Sequence, residues 1–360
     1  GAACHIADAA EPLPAFDDPA FGEMFDRFAG ARVVLLGEET HGTSEFHQAR
    51  AAITRRLIEE HGFNVVAVEA DWPDAAAVDR YVRDRPGQTP PMEQRGDKAF
   101  QRFPQWMWRN HEVHDFVEWL RGHNLGLDDP RSGAGFYGLD IYSLGASINA
   151  VVGYLDDVDP EAAAAARERY GCLTPWQKDP AVYGRAALTE GFERCEKPVG
   201  RMLRELLEKQ LSYAVQDGED YLDATQNARL VAAAERYYRI MYYGSHESWN
   251  LRDTHMFDTL EHVLDARGPD SKAVVWAHNS HIGDASATEM GSMRGELNIG
   301  ELSRRRFGDQ AALIGFGTDR GTVAAASEWG GPMEIKAVRP AHAESYERLC
   351  CDSGVKRFLL

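Results

Sequence analysis

The sequence predicts an α/β fold, a central, mainly parallel sheet flanked by helices, with a large helical insertion covering a cleft. Three observations carry that expectation. Five short apolar runs, at 33–36, 65–68, 136–139, 273–276 and 312–316, are continuous rather than alternating, which is how strands buried on both faces read. A helical stretch over 44–61 separates the first two runs, and β-α-β order implies parallel neighbours. From 144 to 267 the patterning is helical throughout, with no strand-like run. The chain therefore reads as one unit over 1–360 with an insertion or cap at 144–267 inside it.

The elements follow in order. Asp18 before Pro19 is an N-cap with proline at the first helical position, and Phe21, Met24, Phe25 and Phe28 recur at helical spacing up to Gly30. The strand at 33–36 comes next. In the helix over 44–61, Phe46, Arg50, Ile53 and Leu57 fall on one face, so Arg50 sits on the buried stripe. After the strand at 65–68, Phe100, Phe103, Trp106, Trp108, Phe116 and Trp119 form an aromatic stretch that suits the wall of a hydrophobic cleft; Trp106, Val113, Val117 and Leu120 equally fit one core-facing helical side. Within the insertion, Leu230, Val231, Ala234, Tyr237, Tyr238 and Met241 keep 3–4 spacing, and Trp249, Met256, Leu260 and Leu264 continue it beyond Gly244. Residues 355–360 look like the start of a further strand, so the native chain is expected to continue.

Composition narrows the function classes. With 57 Asp and Glu against 39 Lys and Arg, the formal charge is −18, which repels phosphate backbones and anionic lipid. Neither nucleic acid nor a membrane is an expected partner. No apolar run approaches the roughly 20 residues of a spanning helix. The five cysteines are odd in number and scattered, with no C-x-x-C pair, so reduced thiols and a cytoplasmic location are expected.

Four of the apolar runs end in chemistry. The first leads into Glu38, Glu39, Thr40 and His41, the second into Glu69 and Asp71, the third into Asp140, and the fourth into His278 and His281. In an open parallel sheet the carboxyl ends of the strands are where ligands bind. Any one of these groups could be an ordinary polar strand end; four together point to an active site. Arg50 on its buried stripe needs a carboxylate, and Glu38 and Glu69 are the candidates. Asp253 shares a face with Trp249, Met256 and Leu260, and reads as a structural ion pair, with Arg252 serving it or a neighbouring acid.

Familiar templates are absent. There is no G-x-S-x-G elbow and no Walker A sequence. His111-Glu112-Val113-His114 and His246-Glu247 fail the H-E-x-x-H spacing, and the G-x-G-x-x-G letters at 133–138 precede a strand-like run instead of following one. What remains is a His, Glu and Arg constellation suited to activating water, with His41 as general base and cationic donors for an oxyanion. The mixed nitrogen and oxygen groups of His41, Glu69, His278 and His281 would also suit a divalent metal such as Zn or Mn.

The stretches 37–46 (GEETHGTSEF), Arg50, 68–71 (VEAD) and 276–281 (WAHNSH) resemble the erythromycin esterase family, with 138–143 and 250–253 as further landmarks. The resemblance runs from about Arg32 to near the C-terminus. It implies an α/β fold with a helical region over a deep cleft, and metal-independent hydrolysis of a small-molecule ester or macrolactone by activated water, without a cofactor or covalent nucleophile. Family members include macrolide-inactivating esterases and homologues called succinoglycan biosynthesis proteins, some joined to phosphoribosyltransferase domains. Carried over, His41 is similar to the general base, Glu69 to its acid partner, Glu38 and Arg50 to supporting residues, and His278 and His281 to a second histidine cluster. In that reading Arg50 and His278 stabilise the oxyanion, and Asp71, Asp140, Trp106 and Arg252 line the substrate. More distant relatives are metal-dependent, which keeps the metal alternative open, and a non-catalytic homologue that binds a small molecule in the cleft is the other alternative.

Overall fold

The computed structural model describes residues 1–88, 91, 99–189 and 193–360. Its centre is a five-stranded sheet of β1 (Val33–Leu36), β2 (Val65–Asp71), β3 (Gly135–Asp140), β4 (Ala273–Trp276) and β5 (Ala311–Ile314), in the order β3-β2-β4-β1-β5 with every pairing parallel. Continuous apolarity has the expected cause. Val33, Leu35, Val65 and Ala67 face one core layer and Val34, Leu36, Val66 and Val68 the other, all fully buried. The first layer packs on helices of the 144–267 stretch; the second packs on the helices Ser44–His61, Trp72–Val82 and His111–Leu125. Each such aliphatic side chain contributes about 1.5–3 kcal/mol relative to exposure.

Local signals set the element ends. Asp18 accepts a hydrogen bond from the Ala20 N–H and starts a short helix, Pro19–Glu23, followed by a 3-10 turn at Asp26–Phe28. The Ser44–His61 helix stops at Gly62, whose φ of 70° is left-handed and suits glycine. From 144 to 267 the described residues form helices and 3-10 turns only, ending in two 23-residue helices, Gly218–Ile240 and Ser245–Arg267.

Three features depart from the sequence reading. An antiparallel hairpin of β6 (Gly321–Ala325) and β7 (Glu334–Val338) follows the sheet; its strands are exposed or half-buried and so carry no continuous apolar run. The final strand, Phe358–Leu359, pairs with Glu11–Pro12 outside the main sheet. Cys172 and Cys195 are joined as a disulfide, so the expectation of five reduced thiols is corrected to three free ones, Cys4, Cys350 and Cys351. A turn after Tyr170 and the start of the Glu196–Glu208 helix bring the two Cα atoms to 5.9 Å, a tertiary contact that spacing alone does not reveal.

Candidate active site

Leu36, Val68 and Trp276 lie in one register across β1, β4 and β2, so the residues that follow them emerge at one sheet edge. The Glu38 carbonyl accepts the Asn279 N–H at 2.9 Å, and the Asn279 side chain clamps the backbone of Phe316 on both sides. Two glycines allow this crowding. A β carbon on Gly37 would collide with the Asn279 amide, and one on Gly42 with the Ala324 carbonyl oxygen. The Ala324 N–H donates to the Gly42 carbonyl, which pins β6 against the loop carrying His41.

One hydrogen-bonded chain orients His41. Its Nδ1 lies 2.6 Å from Glu38 Oε1, so the Nδ1–H tautomer donates to that carboxylate. Arg50 Nη2 donates to Glu38 Oε2 and to His47 Nδ1, both at 3.1 Å, and His47 Nε2–H donates to the His41 carbonyl at 3.2 Å. Burial pushes the His47 pKa down to about 4, which leaves it neutral and able to play both parts. Burial opposes charge on Glu38, but Arg50 and the His41 contact outweigh it and hold the carboxyl below its ordinary range. The pairing requirement of Arg50 is thus met by Glu38, with the guanidinium also lying over the Trp276 ring.

A second chain orients Glu69. Its Oε1 accepts His281 Nε2–H at 3.0 Å, and His281 Nδ1–H donates to Asp253 at 2.9 Å. Asp253 also accepts the Ile299 N–H, and Trp249 stacks on His281 with ring centroids 4.6 Å apart and planes 3° from parallel. Burial disfavours the His281 cation, but the two carboxylates outweigh it and lift its pKa to about 10. His281 is therefore a fixed cation, not a base. Its charge in turn holds Glu69 ionised well below the usual range despite burial.

The two chains meet at His41 Nε2, which is 3.9 Å from Glu69 Oε2 and outside hydrogen-bond range. The His41 side chain is 35% exposed, whereas Glu38 and Glu69 are buried. Burial works against its protonation, yet the Glu38 hydrogen bond and the Glu69 and Glu38 charges win and raise its pKa. The ring nitrogen that the orienting carboxylate leaves free is Nε2, on a side chain that is itself partly exposed.

Other expected residues occupy different positions. Arg50 is completely buried behind Glu38, and His278 donates Nε2–H to the Glu39 carbonyl while Nδ1 accepts the Ser280 N–H. Of the two residues expected to reach a substrate oxyanion, Arg50 is completely buried and His278 has both ring nitrogens engaged by neighbours. Asp71 and Asp140, opposite each other across β2 and β3, are buried and paired, Asp71 with Arg102 at 3.0 Å and Asp140 with Arg252 at 2.9 and 2.8 Å. Both arginines flank the Tyr142 ring. Arg252 therefore serves Asp140, leaving Asp253 to His281. Trp106 packs edge-on against Phe103, and it is Trp108 whose indole N–H reaches the site, donating to the Glu69 carbonyl at 3.2 Å. The sequence reading did not single out His47, Arg102 or Asn279, and it named Trp108 only as one of an aromatic stretch. His47 could have been found one turn from Arg50 on the same helix; Arg102 lies in an irregular segment and Asn279 opens a helix of only four residues, Asn279–Ile282, too short to show periodicity.

The side chains expected to suit a divalent metal are engaged with neighbouring groups in this structure. His281 uses both ring nitrogens as donors to carboxylates, and His278 uses both of its own on neighbouring groups. Among the described residues, no three His, Cys, Asp or Glu side chains are grouped to hold a metal ion.

Comparison with known proteins gives a consistent picture. A family model described as erythromycin esterase matches residues 58–360. The Bacillus subtilis protein named "Putative hydrolase YbfO" is 24% identical over 269 residues, covering 70% of this chain and 56% of that protein. Escherichia coli erythromycin esterase type I is 21% identical over 281 residues, 73% of this chain and 66% of that protein. The alignments thus span less than two thirds of either relative. Among solved structures, a succinoglycan biosynthesis protein superposes with a TM-score of 0.74 at 21% identity, covering 97% of this chain and 82% of that one. A histidine-to-asparagine mutant of the erythromycin esterase EreC, in its open conformation, gives 0.67 at 17%, covering 95% and 86%. These structural likenesses establish the fold.

Proposed function

Because the chain belongs to the erythromycin esterase family, we propose that it is a hydrolase of a small-molecule ester or lactone, in which His41 activates water directly. The observation that carries this reading is the state of His41. Nδ1 is committed to buried Glu38, while Nε2 of this partly exposed ring has no hydrogen bond among the described residues and lies 3.9 Å from Glu69 Oε2.

In the proposed reaction, His41 Nε2 takes a proton from water as the water oxygen forms a bond to the ester carbonyl carbon. The imidazolium so formed lies between the Glu38 and Glu69 charges, which favour it. Collapse of the tetrahedral intermediate breaks the bond to the alcohol oxygen, which receives the proton back from His41. The products are a carboxylic acid and an alcohol, with no covalent enzyme intermediate. The base must be neutral to act, so activity should rise with pH through the raised His41 pKa, above the ordinary 6.5.

We propose that no metal takes part, on the strength of the committed donors of His278 and His281. The partner is a small molecule; the charge of −18 argues against nucleic acid, and no helix among the described residues is long and apolar enough to cross a membrane. The test is hydrolysis of an ester and lactone panel by the wild type and by His41→Asn. The variant should lose about 10²–10⁴ in rate; full turnover by His41→Asn sinks the assignment.

A further inference from the structure

We infer that Asp253 is a positioning residue for the active site, acting through His281 to hold Glu69 aimed at His41. The inference rests on the functional reading above for its kinetic consequence, and on geometry for its structural one.

The geometry is a buried linear relay. Asp253 is fully buried, and both of its oxygens lie within hydrogen-bond distance of His281 Nδ1, at 2.9 and 3.0 Å. The opposite ring nitrogen reaches Glu69 at 3.0 Å, and the other Glu69 oxygen is the one 3.9 Å from His41 Nε2. An imidazole that donates from both nitrogens must carry both protons, so the two carboxylates together specify a cation. Trp249, stacked face to face on the ring and fixed by its own N–H to the Leu297 carbonyl at 2.7 Å, fits a cation and keeps water off that face.

A purely structural explanation accounts for only part of this. Asp253 Oδ2 also accepts the Ile299 N–H at the start of the Ile299–Phe307 helix, a capping role that a neutral side chain could fill. Capping does not need a carboxylate aligned on a histidine, and burying that charge is costly unless the partner is charged too. The arrangement parallels the first chain, in which Arg50 holds Glu38 and Glu38 holds His41. In each, a buried charge at one remove fixes the carboxylate that faces the base.

The substitution Asp253→Asn keeps shape and one oxygen for Ile299 but removes the charge. Two readouts on the intact protein test it. In kinetics, kcat should fall about 10- to 100-fold while KM stays within about threefold, as expected for loss of an outer partner that orients a working group. In ¹⁵N-resolved imidazole spectra at pH 8.5, the wild type should show a doubly protonated ring assigned to His281, and Asp253→Asn should lose that signal. A folded variant with kcat within twofold of wild type overturns the inference. So does a wild-type spectrum with no doubly protonated ring assigned to His281, a result that stands even if the variant fails to fold. If the wild type hydrolyses nothing in the ester panel, the functional proposal fails, while the spectra still decide the relay.

Discussion

Replacing Glu38 by Gln perturbs the site at its most constrained point. The carboxylate accepts two hydrogen bonds, from His41 Nδ1–H at 2.6 Å and from Arg50 Nη2 at 3.1 Å, and is fully buried. A glutamine has one oxygen and one NH₂ group. If the oxygen stays on Arg50, which among the described residues has no other carboxylate within ion-pair distance, the NH₂ faces His41 and turns Nδ1 into an acceptor. The ring proton then moves to Nε2, and the free nitrogen can no longer take a proton from water. In serine hydrolases, the equivalent carboxylate-to-amide change costs about 10⁴ in kcat. Here His41 is partly exposed and can reorient, so a loss of about 10²–10⁴ is expected, or about 2.7–5.4 kcal/mol of transition-state stabilisation. The assay is kcat/KM against pH on the best ester of the panel. Removing the Glu38 charge also removes a cause of the raised His41 pKa, so the residual activity should have its acid limb at lower pH than wild type. Activity within threefold of wild type, with an unmoved acid limb, would refute the tautomer argument.

Two further predictions concern stability. Arg50→Met should destabilise the fold by about 3–5 kcal/mol in urea titration, because it strands buried Glu38; the double variant with Glu38→Gln should recover part of that loss. His281 has a folded pKa near 10 against 6.5 unfolded, so its contribution is complete below about pH 6.5 and is lost as pH rises through 10. Unfolding free energy should therefore fall by a few kcal/mol between pH 7 and 10; in Asp253→Asn the fall should shift toward neutral pH, and identical profiles would contradict the assignment.

How much was legible in the sequence follows from which interactions are local. The five sheet strands were readable because burial on both faces leaves continuous apolar runs, and β-α-β order made them parallel. The placement of Glu38, His41, Glu69 and His281 at one edge then follows from strand polarity alone. Partner choice was not readable. Arg50 had two candidate carboxylates, and only the turn of the Ser44–His61 helix against β1 selects Glu38. Asp253 and Arg252 are neighbours in sequence but point to different partners, His281 and Asp140, because successive residues on a helix face about 100° apart. The exposed β6–β7 hairpin and the Cys172–Cys195 pair left no periodic signal, and the hairpin turned out to press on the His41 loop.

The most direct test of His41 as the base of a metal-free hydrolase is turnover of the ester and lactone panel by protein whose metal content has been measured, before and after chelation, for wild type and His41→Asn. Hydrolysis by the wild type should be insensitive to chelator and should fall about 10²–10⁴ in the variant. Activity that disappears with chelator and returns with Zn or Mn, or that persists undiminished in His41→Asn, would contradict that assignment.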